Sequence, residues 1–349
     1  MLIYPYIGHM IQVTVIVPVF NVEKYIRECF ESVALQNYPY LTCMFIDDGS
    51  TDASFDILQT KIDSYNGHID FKLLKNEKNL GASGTRNRGI RESQSDYIYF
   101  LDSDDAISST CIDELVYHVF KHPGVDIVQG EILSEVANIN HVLKISGKGY
   151  PDYSCDIHWV RANVFNSLPI SPCNKLIRLD ILKRHEIYFM EGIVNEDVLW
   201  TYHLRKYIKS LAFNFRETYF YRHNPNSVTI SVQNERRRLV DQFFILDSFL
   251  QDIDSSYKEV DNFGILKQYS HVKLMTVSPE NQEYFITSLN TCIRKALNTR
   301  GILKFYKPFF YYLTISGAVF GRSLFIWHKF LGILFRYNKV IEKQRLREI

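Results

Sequence analysis

Val13-Thr14-Val15-Ile16-Val17, running on through Pro18-Val19-Phe20-Asn21 to an amphipathic stretch with Tyr25, Ile26, Cys29, Phe30 and Val33 on one side, decides the fold class. A short apolar run rich in β-branched residues reads as a buried strand, and apolar residues three and four apart read as the inner stripe of a helix. The same unit recurs along the first third of the chain. Strand Leu41 to Ile46 precedes helix Ala53 to Ile62; strand Phe71 to Leu74 precedes helix Ser83 to Ser93; strand Tyr97 to Leu101 precedes helix Thr110 to Lys121; and a further strand covers Val125 to Gln129. Parallel strands need helical crossovers of this kind, so the expected class is α/β, a mainly parallel sheet with helices on both faces. In open sheets of this type ligands bind beyond the carboxyl ends of the strands. The residues just after each strand are therefore where chemistry is expected.

At 349 residues the chain exceeds what one core usually organises. Residues 130 to 235 are less regular, with Gly and Pro punctuation, and read as the acceptor side of the first domain. From about Arg236 the pattern turns helical, with Leu239, Val240, Phe243, Phe244, Leu246 and Leu250 expected on one apolar face. The expected division is a catalytic domain over residues 10–235 and a helical region over 236–349. The net charge of +1 hides an asymmetry: residues 294–349 carry 12 Lys/Arg and 2 Asp/Glu, or +10, which leaves −9 for the rest. An acidic body with a basic, aromatic tail excludes nucleic acid as the partner, because there the basic surface belongs to the recognition domain. Six scattered cysteines without a C-x-x-C pair indicate neither a zinc site nor a disulfide framework. Met1 to Gln12 lacks the basic leader and cleavage site of a signal peptide, and Met10, just before the first strand pattern, is the expected start.

Four strand exits carry polar motifs. After the first come Pro18, Phe20 and Asn21; after the second comes Asp47-Asp48-Gly49-Ser50-Thr51-Asp52. Asp48 and Asp52 can cap and turn the chain, or a carboxylate there can accept from a base N–H or a ribose hydroxyl. After the third strand runs Asn79-Leu80-Gly81-Ala82-Ser83-Gly84-Thr85-Arg86-Asn87-Arg88-Gly89, a loop feeding a helix with two early arginines. Helix N-termini and guanidinium groups attract phosphate, although the glycine spacing fits neither a P-loop nor a dinucleotide fingerprint, and solvated arginines are the alternative. After the fourth strand stands Asp102-Ser103-Asp104-Asp105. Alternate residues of an extended segment share a face, so Asp102 and Asp104 together suit Mg²⁺ or Mn²⁺ bridging a diphosphate. Further on, Asn195-Glu196-Asp197 opens a helical pattern whose acids either complement the helix dipole or supply a base. Tyr221-Arg222-His223-Asn224-Pro225-Asn226-Ser227 offers a guanidinium, an imidazole and a hydroxyl to a leaving diphosphate, or is a polar turn.

Taken together, over roughly residues 12 to 230, these motifs resemble the GT-A glycosyltransferases of family 2, builders of bacterial capsule, exopolysaccharide and lipopolysaccharide. The resemblance rests on Val17-Pro18-Val19-Phe20-Asn21, the Asp-Asp-Gly-Ser-Thr-Asp run, Asn79-x-Gly81 followed by Arg86-Asn87, Asp102-Ser103-Asp104-Asp105, Cys173-Asn174-Lys175-Leu176 and Glu196-Asp197, in that order. It implies a Rossmann-like GT-A sheet and an inverting, metal-dependent transfer from a nucleotide sugar, UDP being the expected carrier. It further implies that Asp102 and Asp104 hold ribose and Mn²⁺ or Mg²⁺, that Asp48 meets the uracil, and that Pro18, Phe20, Asn21, Asn79, Gly81 and Arg86 support the nucleotide. Arg222 and Ser227 are then diphosphate contacts, with His223 a further candidate metal ligand. Asp197 is the implied base, with Glu196 its alternate. One base carboxylate and one metal cluster suffice, because no protein acid is needed at a diphosphate leaving group. A sugar-nucleotide pyrophosphorylase would place a Gly-rich basic loop after the first strand, where Pro18 to Asn21 stands; a non-catalytic sugar-binding protein would have lost the acids, which are present.

The tail, from Lys307-Pro308-Phe309-Phe310-Tyr311-Tyr312 to Phe335, interleaves aromatic clusters with Arg322, Lys329 and Arg336. Its uncharged runs fall short of the roughly 20 residues that span a bilayer. It is expected to lie on the cytoplasmic face of the membrane, near a glycan or lipid-linked acceptor, with a buried helical subdomain or an oligomer contact as alternatives.

Overall fold

In the computed structural model the described residues are 10–135, 144–222, 224, 235–304 and 306–312. The apolar run of the first strand forms β1 (Val13–Val19), six of whose seven residues are buried, as a strand covered on both faces requires. α1 (Ile26–Ala34) buries Ile26, Cys29, Phe30 and Val33, the stripe read from the sequence. The pattern continues through β2 (Leu41–Asp47), α2 (Ser54–Asp63), β3 (Asp70–Lys75), α3 (Gly81–Glu92), β4 (Tyr97–Phe100), β5 (Ala106–Ile107), α4 (Cys111–Lys121) and β6 (Ile127–Ser134). These elements agree with the expected ones to within a few residues at most ends. The α/β class with a mostly parallel sheet is thus the observed one.

After the alternating third come β7 (Tyr153–Ser154), α5 (Ile157–Asn166), β8 (Lys175–Arg178), α6 (Leu179–Arg184), α7 (Glu196–Leu204) and β9 (Leu211–Tyr221). The nine strands form one sheet in the order β3-β2-β1-β4-β8-β6-β9-β5, with β7 on β9. β1 runs parallel to β2 and β4, and β2 to β3. β8 enters antiparallel between β4 and β6, so those two strands, though separated in the sheet, point the same way. β6 and β9 are parallel across a bulge at Gly130 to Ile132. The exits of β1, β2, β3, β4 and β9 therefore share one edge of the sheet, and the polar motifs after those strands fall there. Close packing sets α3 on β1: a Cβ at Gly89 would stand 2.5 Å from Ile16 Cγ2.

The chain divides into two compact units, Met1–Asp241 and Gln242–Ile349. The second comprises most of α8 (Glu235–Gln251), then α9 (Lys258–Lys273), α10 (Gln282–Asn298) and α11 (Lys307–Tyr312). On α8 the buried stripe is Leu239, Phe243, Leu246 and Leu250, whereas Val240 and Phe244, expected on the same face, are 45% and 44% exposed. One residue further along a helix turns about 100° away, which takes this i, i+4 pair off the stripe. The basic aromatic tail also begins later than expected. Ile302, Tyr306 and Phe310 are buried, Phe310 meets Tyr269 edge-on at 5.2 Å, and Asn262 clamps the turn through Gly301 O and Leu303 N. The core of the helical unit therefore reaches Phe310. No helix among the described residues is long and apolar enough to cross a membrane; residues 313–349 lie outside the described ones.

Candidate functional site

Where β1 ends, Pro18 is half-buried, Phe20 is 48% exposed, and Asn21 adopts a left-handed backbone at φ 51°, a conformation asparagine tolerates. Asn21 stitches two strand exits together: its N–H donates to Ser50 Oγ at 3.1 Å and its Oδ1 accepts from Thr51 N at 2.8 Å. An exposed aromatic at a strand exit supplies a flat apolar face, and Phe20 is such a group. Asp52 turns the chain into α2 by accepting from Ser54 N, and its other oxygen accepts from Glu23 N.

Asp48, expected at the uracil, is hydrogen-bonded within the protein. It is 3% exposed, and its carboxylate accepts from Asn76 Nδ2 at 2.7 Å and from the Leu80 and Gly81 amides at 2.8 Å each. Those two amides open α3, where orphan N–H groups need acceptors. Asn79 adds a bond from Nδ2 to Asp48 O and accepts from Gly81 N, while Gly81 itself sits at φ 72°, where a side chain would be strained. Asp48 thus shapes the β3–α3 loop. Arg86, expected to support the nucleotide, also makes contacts within the protein. It is buried, with Nη2 2.8 Å from Asp102 Oδ1 and Nη1 2.9 Å from Glu196 Oε1, so its charge is already shared between two carboxylates. Burial alone would lower its pKa, but the two acids more than offset this and hold it charged.

At the exit of β4 the three acids have three fates. Asp102 pairs with Arg86. Asp105 is buried and accepts from Tyr219 Oη at 2.5 Å and from the Arg222 amide at 2.8 Å; burial, then the charge of Asp102, push its pKa up to about 8. It works as a pin between the β4 exit and the end of β9. Asp104 has no ion pair among the described residues; Asn224 Nδ2 donates to its Oδ2 at 2.8 Å, and burial followed by the charge of Asp102 raise its pKa. Asp102 and Asp104, the expected oxygen donors, lie close enough for the charge of Asp102 to act on Asp104. Among the described residues no group of three or more His, Cys, Asp or Glu gathers for an ion. Mg²⁺ or Mn²⁺ with a nucleotide needs only one or two carboxylates, the rest being phosphate oxygens and water, and a cation would relieve the repulsion that raises Asp104. The donor set fits such an ion.

The other end of the site is the start of α7. Asn195 precedes it at φ 62°, and Glu196 and Asp197 form its first turn. Glu196 is taken by Arg86, whereas Asp197 has a single hydrogen bond among the described residues, from the Val198 amide to Oδ1 at 2.9 Å. Burial first, and the neighbouring Glu196 second, push the Asp197 carboxyl up to about 6. That places it where a general base is most effective near neutral pH. The approach to α7 is anchored by Asn87 on Phe189, by Arg237 Nη2 to Gly192 O at 2.9 Å, and by Val194 N to Asp241 Oδ2 at 2.9 Å.

Arg222 leans over the Tyr25 ring at 5.5 Å and pairs with Glu28 at 2.6 Å. Ser227 and His223, the other candidates in that loop, lie outside the described residues. The sequence motifs contain Asn87 and Asn224 without revealing their partners, and Asn76, Tyr219 and Glu28 were not singled out. Asn76 carried one usable signal, its position at the exit of β3; the others owe their roles to partners far away in the chain.

A parallel-edged α/β sheet with an acid pair at the exit of its fourth strand and a poised carboxylate on a facing segment defines the GT-A class of glycosyltransferase. Residues 14–185 match the model described as glycosyl transferase family 2, and the chain is a family 2 glycosyltransferase. Glycosyltransferase GlyG of Streptococcus pneumoniae serotype 4 is 26% identical over 283 residues, 78% of this chain and 92% of that one. The poly(ribitol-phosphate) beta-N-acetylglucosaminyltransferase TarS of Staphylococcus aureus is 29% identical over 199 residues, 55% of this chain but 32% of that one. The structure of TarS residues 1–349 with UDP-GlcNAc superposes with a TM-score of 0.64 at 21% identity, covering 86% of this chain and 87% of that one. A mannosyltransferase from Pyrobaculum calidifontis in complex with GDP-Man and Mn²⁺ gives a TM-score of 0.52 at 13% identity, over 88% and 86% of the two chains. These two structures carry the fold.

Proposed function

We propose that this glycosyltransferase moves a sugar from a nucleoside diphosphate, with UDP as the carrier, to a hydroxyl of a glycan or lipid-linked acceptor in the assembly of bacterial surface polysaccharide. The observation that carries this reading is the division of four acids by one arginine: Arg86 neutralises Asp102 and Glu196, leaving Asp104 and Asp197 without ion pairs among the described residues. One open carboxylate suits a cation on a diphosphate and the other a proton from an acceptor. TarS with UDP-GlcNAc supports the choice of uridine, and the Mn²⁺ complex of the mannosyltransferase supports the ion.

In this mechanism Phe20 offers its face to the base, and the loop held by Asn21, Asp48 and Asn79 shapes the nucleotide pocket. Asp104, with Asp102, would hold Mg²⁺ or Mn²⁺, which when bound offsets the charge of the departing diphosphate. Asp197 takes the acceptor proton while the hydroxyl attacks the anomeric carbon from the side opposite the leaving group, giving inversion through an oxocarbenium-like state. Arg222 supports the diphosphate once it turns away from Glu28; a surface pair of this sort is worth at most about 1 kcal/mol and yields readily. Residues 313–349 hold 7 Lys/Arg and 2 Asp/Glu, a net +5, among Phe, Tyr and Trp. That composition suits attachment to the cytoplasmic face of the membrane, beside a lipid-linked acceptor.

A donor screen tests the reading. Purified protein with Mn²⁺ and a panel of nucleotide sugars should release free nucleoside diphosphate slowly by hydrolysis, fastest with a UDP-sugar. Release from none of the panel would contradict it.

A further inference from the structure

We propose that Arg86 and Asn87 are positioning residues that set the base-bearing helix α7 against the acid cluster after β4, acting on the transfer step through Asp197 and not through the nucleotide. This rests on the functional reading above.

Both residues sit side by side on α3, buried at 7% and 2% exposure. The guanidinium of Arg86 is a rigid planar fork, and it holds Asp102 and Glu196 on different nitrogens. It therefore fixes the separation of two carboxylates that lie 16 and 110 residues after it in the chain, one in the loop after β4 and one in the first turn of α7. A lysine has one point charge and cannot span both in that geometry. Asn87 makes the second grip. Its Oδ1 accepts from Phe189 N at 2.7 Å and its Nδ2 donates to Phe189 O at 2.8 Å, the two-point pairing of a β-ladder made by a side chain. The Phe189 ring stacks on Trp200 of α7 at 4.5 Å and 8°, and the Arg86 guanidinium lies over the same ring at 5.5 Å. α7 is thus held at Glu196 directly and at Trp200 through Phe189, by adjacent residues of one helix. Asp197 stands between those two grips.

The test uses the full chain carrying Arg86→Lys, Asn87→Ser and Glu196→Gln, singly and with the first and third combined. Three quantities are read: UDP affinity with Mn²⁺ by calorimetry, transfer with the donor found for the wild type, and amide hydrogen exchange over residues 187–198. Misplacing a reacting group by about 1 Å can cost about 10²-fold. Arg86→Lys should accordingly lower kcat about 30-fold or more, with UDP affinity held within about 3-fold, and should speed exchange at Val194 to Val198. Because Arg86→Lys and Glu196→Gln break one bridge, the double variant should be no more than about 2-fold worse than Arg86→Lys alone. Asn87→Ser leaves the ion pairs in place and should show the same split, which keeps the test alive if Arg86→Lys does not fold. UDP affinity falling in step with transfer, unchanged exchange, or penalties that multiply would overturn the proposal. If the wild type turns over no nucleotide sugar, the functional reading fails, and the exchange measurement still decides the positioning.

Discussion

The acids after β4 and the acids opening α7 are treated alike by the surrounding protein and yet suit different chemistry. In each group one carboxylate is given to Arg86, Asp102 in the first and Glu196 in the second. In each, the acid left over is raised by burial first and by its paired neighbour second, Asp104 by Asp102 and Asp197 by Glu196. The difference lies in what else is nearby. Asp104 shares its loop with Asp105 and accepts from Asn224, beside Arg222, so it belongs to a polar edge that can recruit a cation and a diphosphate. Asp197 sits at the start of a helix whose other first-turn acid is already neutralised, so a proton is the natural partner. A shared electrostatic device therefore yields a binding carboxylate at one end and a base at the other.

Breaking the first group should have the larger effect. Asp104→Ala should cut transfer by roughly 10³ or more and drop UDP affinity to the value measured for the wild type in EDTA, since the bridging charge is lost. Equal wild-type affinity in Mn²⁺ and EDTA, by calorimetry, would break the comparison at its first term. Asp197→Asn should lower transfer by about 10² to 10⁴, the scale for losing a positioned base, while UDP affinity stays put. Glu196→Gln should cost less, and a reversed rank of the two would make Glu196 the base.

Smaller effects sharpen the contrast between acids that act and acids that hold. Tyr219→Phe removes a hydroxyl that donates to buried Asp105 at 2.5 Å and accepts from Asp102 N at 3.3 Å. Leaving such a group short of a partner costs about 1–3 kcal/mol, so thermal unfolding should shift down while transfer by folded protein changes little. The smallest effect on chemistry should come from ending the chain after Tyr312. Hydrolysis of the donor should persist, and sedimentation with anionic liposomes, which high salt partly releases from the full chain, should disappear. Ending it after Leu297 would instead remove buried Ile302, Tyr306 and Phe310 and destabilise the helical unit.

Much of this was legible in the sequence wherever the signal is local. β-branched runs and helical stripes gave the elements of the first third, and consecutive acids marked both ends of the site. What the sequence hid depends on partners distant in the chain. Asp48 looks like a turn residue or a base reader from its own neighbourhood, and only Asn76, Leu80 and Gly81, brought 28 to 33 residues closer by the β2–β3 pairing, show that it shapes the β3–α3 loop. That Arg86 bridges two carboxylates is equally hidden, because Glu196 lies 110 residues away. Nothing local in Lys175 to Arg178 states that the strand inserts antiparallel between β4 and β6. The tail was drawn too long because Phe310 and Tyr306 have the same composition whether they face lipid or pack inside a helical core.

The pH dependence of transfer tests the central claim most directly. A general base works only when deprotonated, and the Asp197 carboxyl is pushed up to about 6. With saturating Mn²⁺ and donor, the wild-type rate should therefore rise about tenfold per pH unit below that value and level off above it. In Asp197→Asn that acid limb should vanish and leave a low, flat rate. A limb that survives in Asp197→Asn, or a wild-type rate that falls as pH rises through 6, would contradict the assignment of Asp197 as the base.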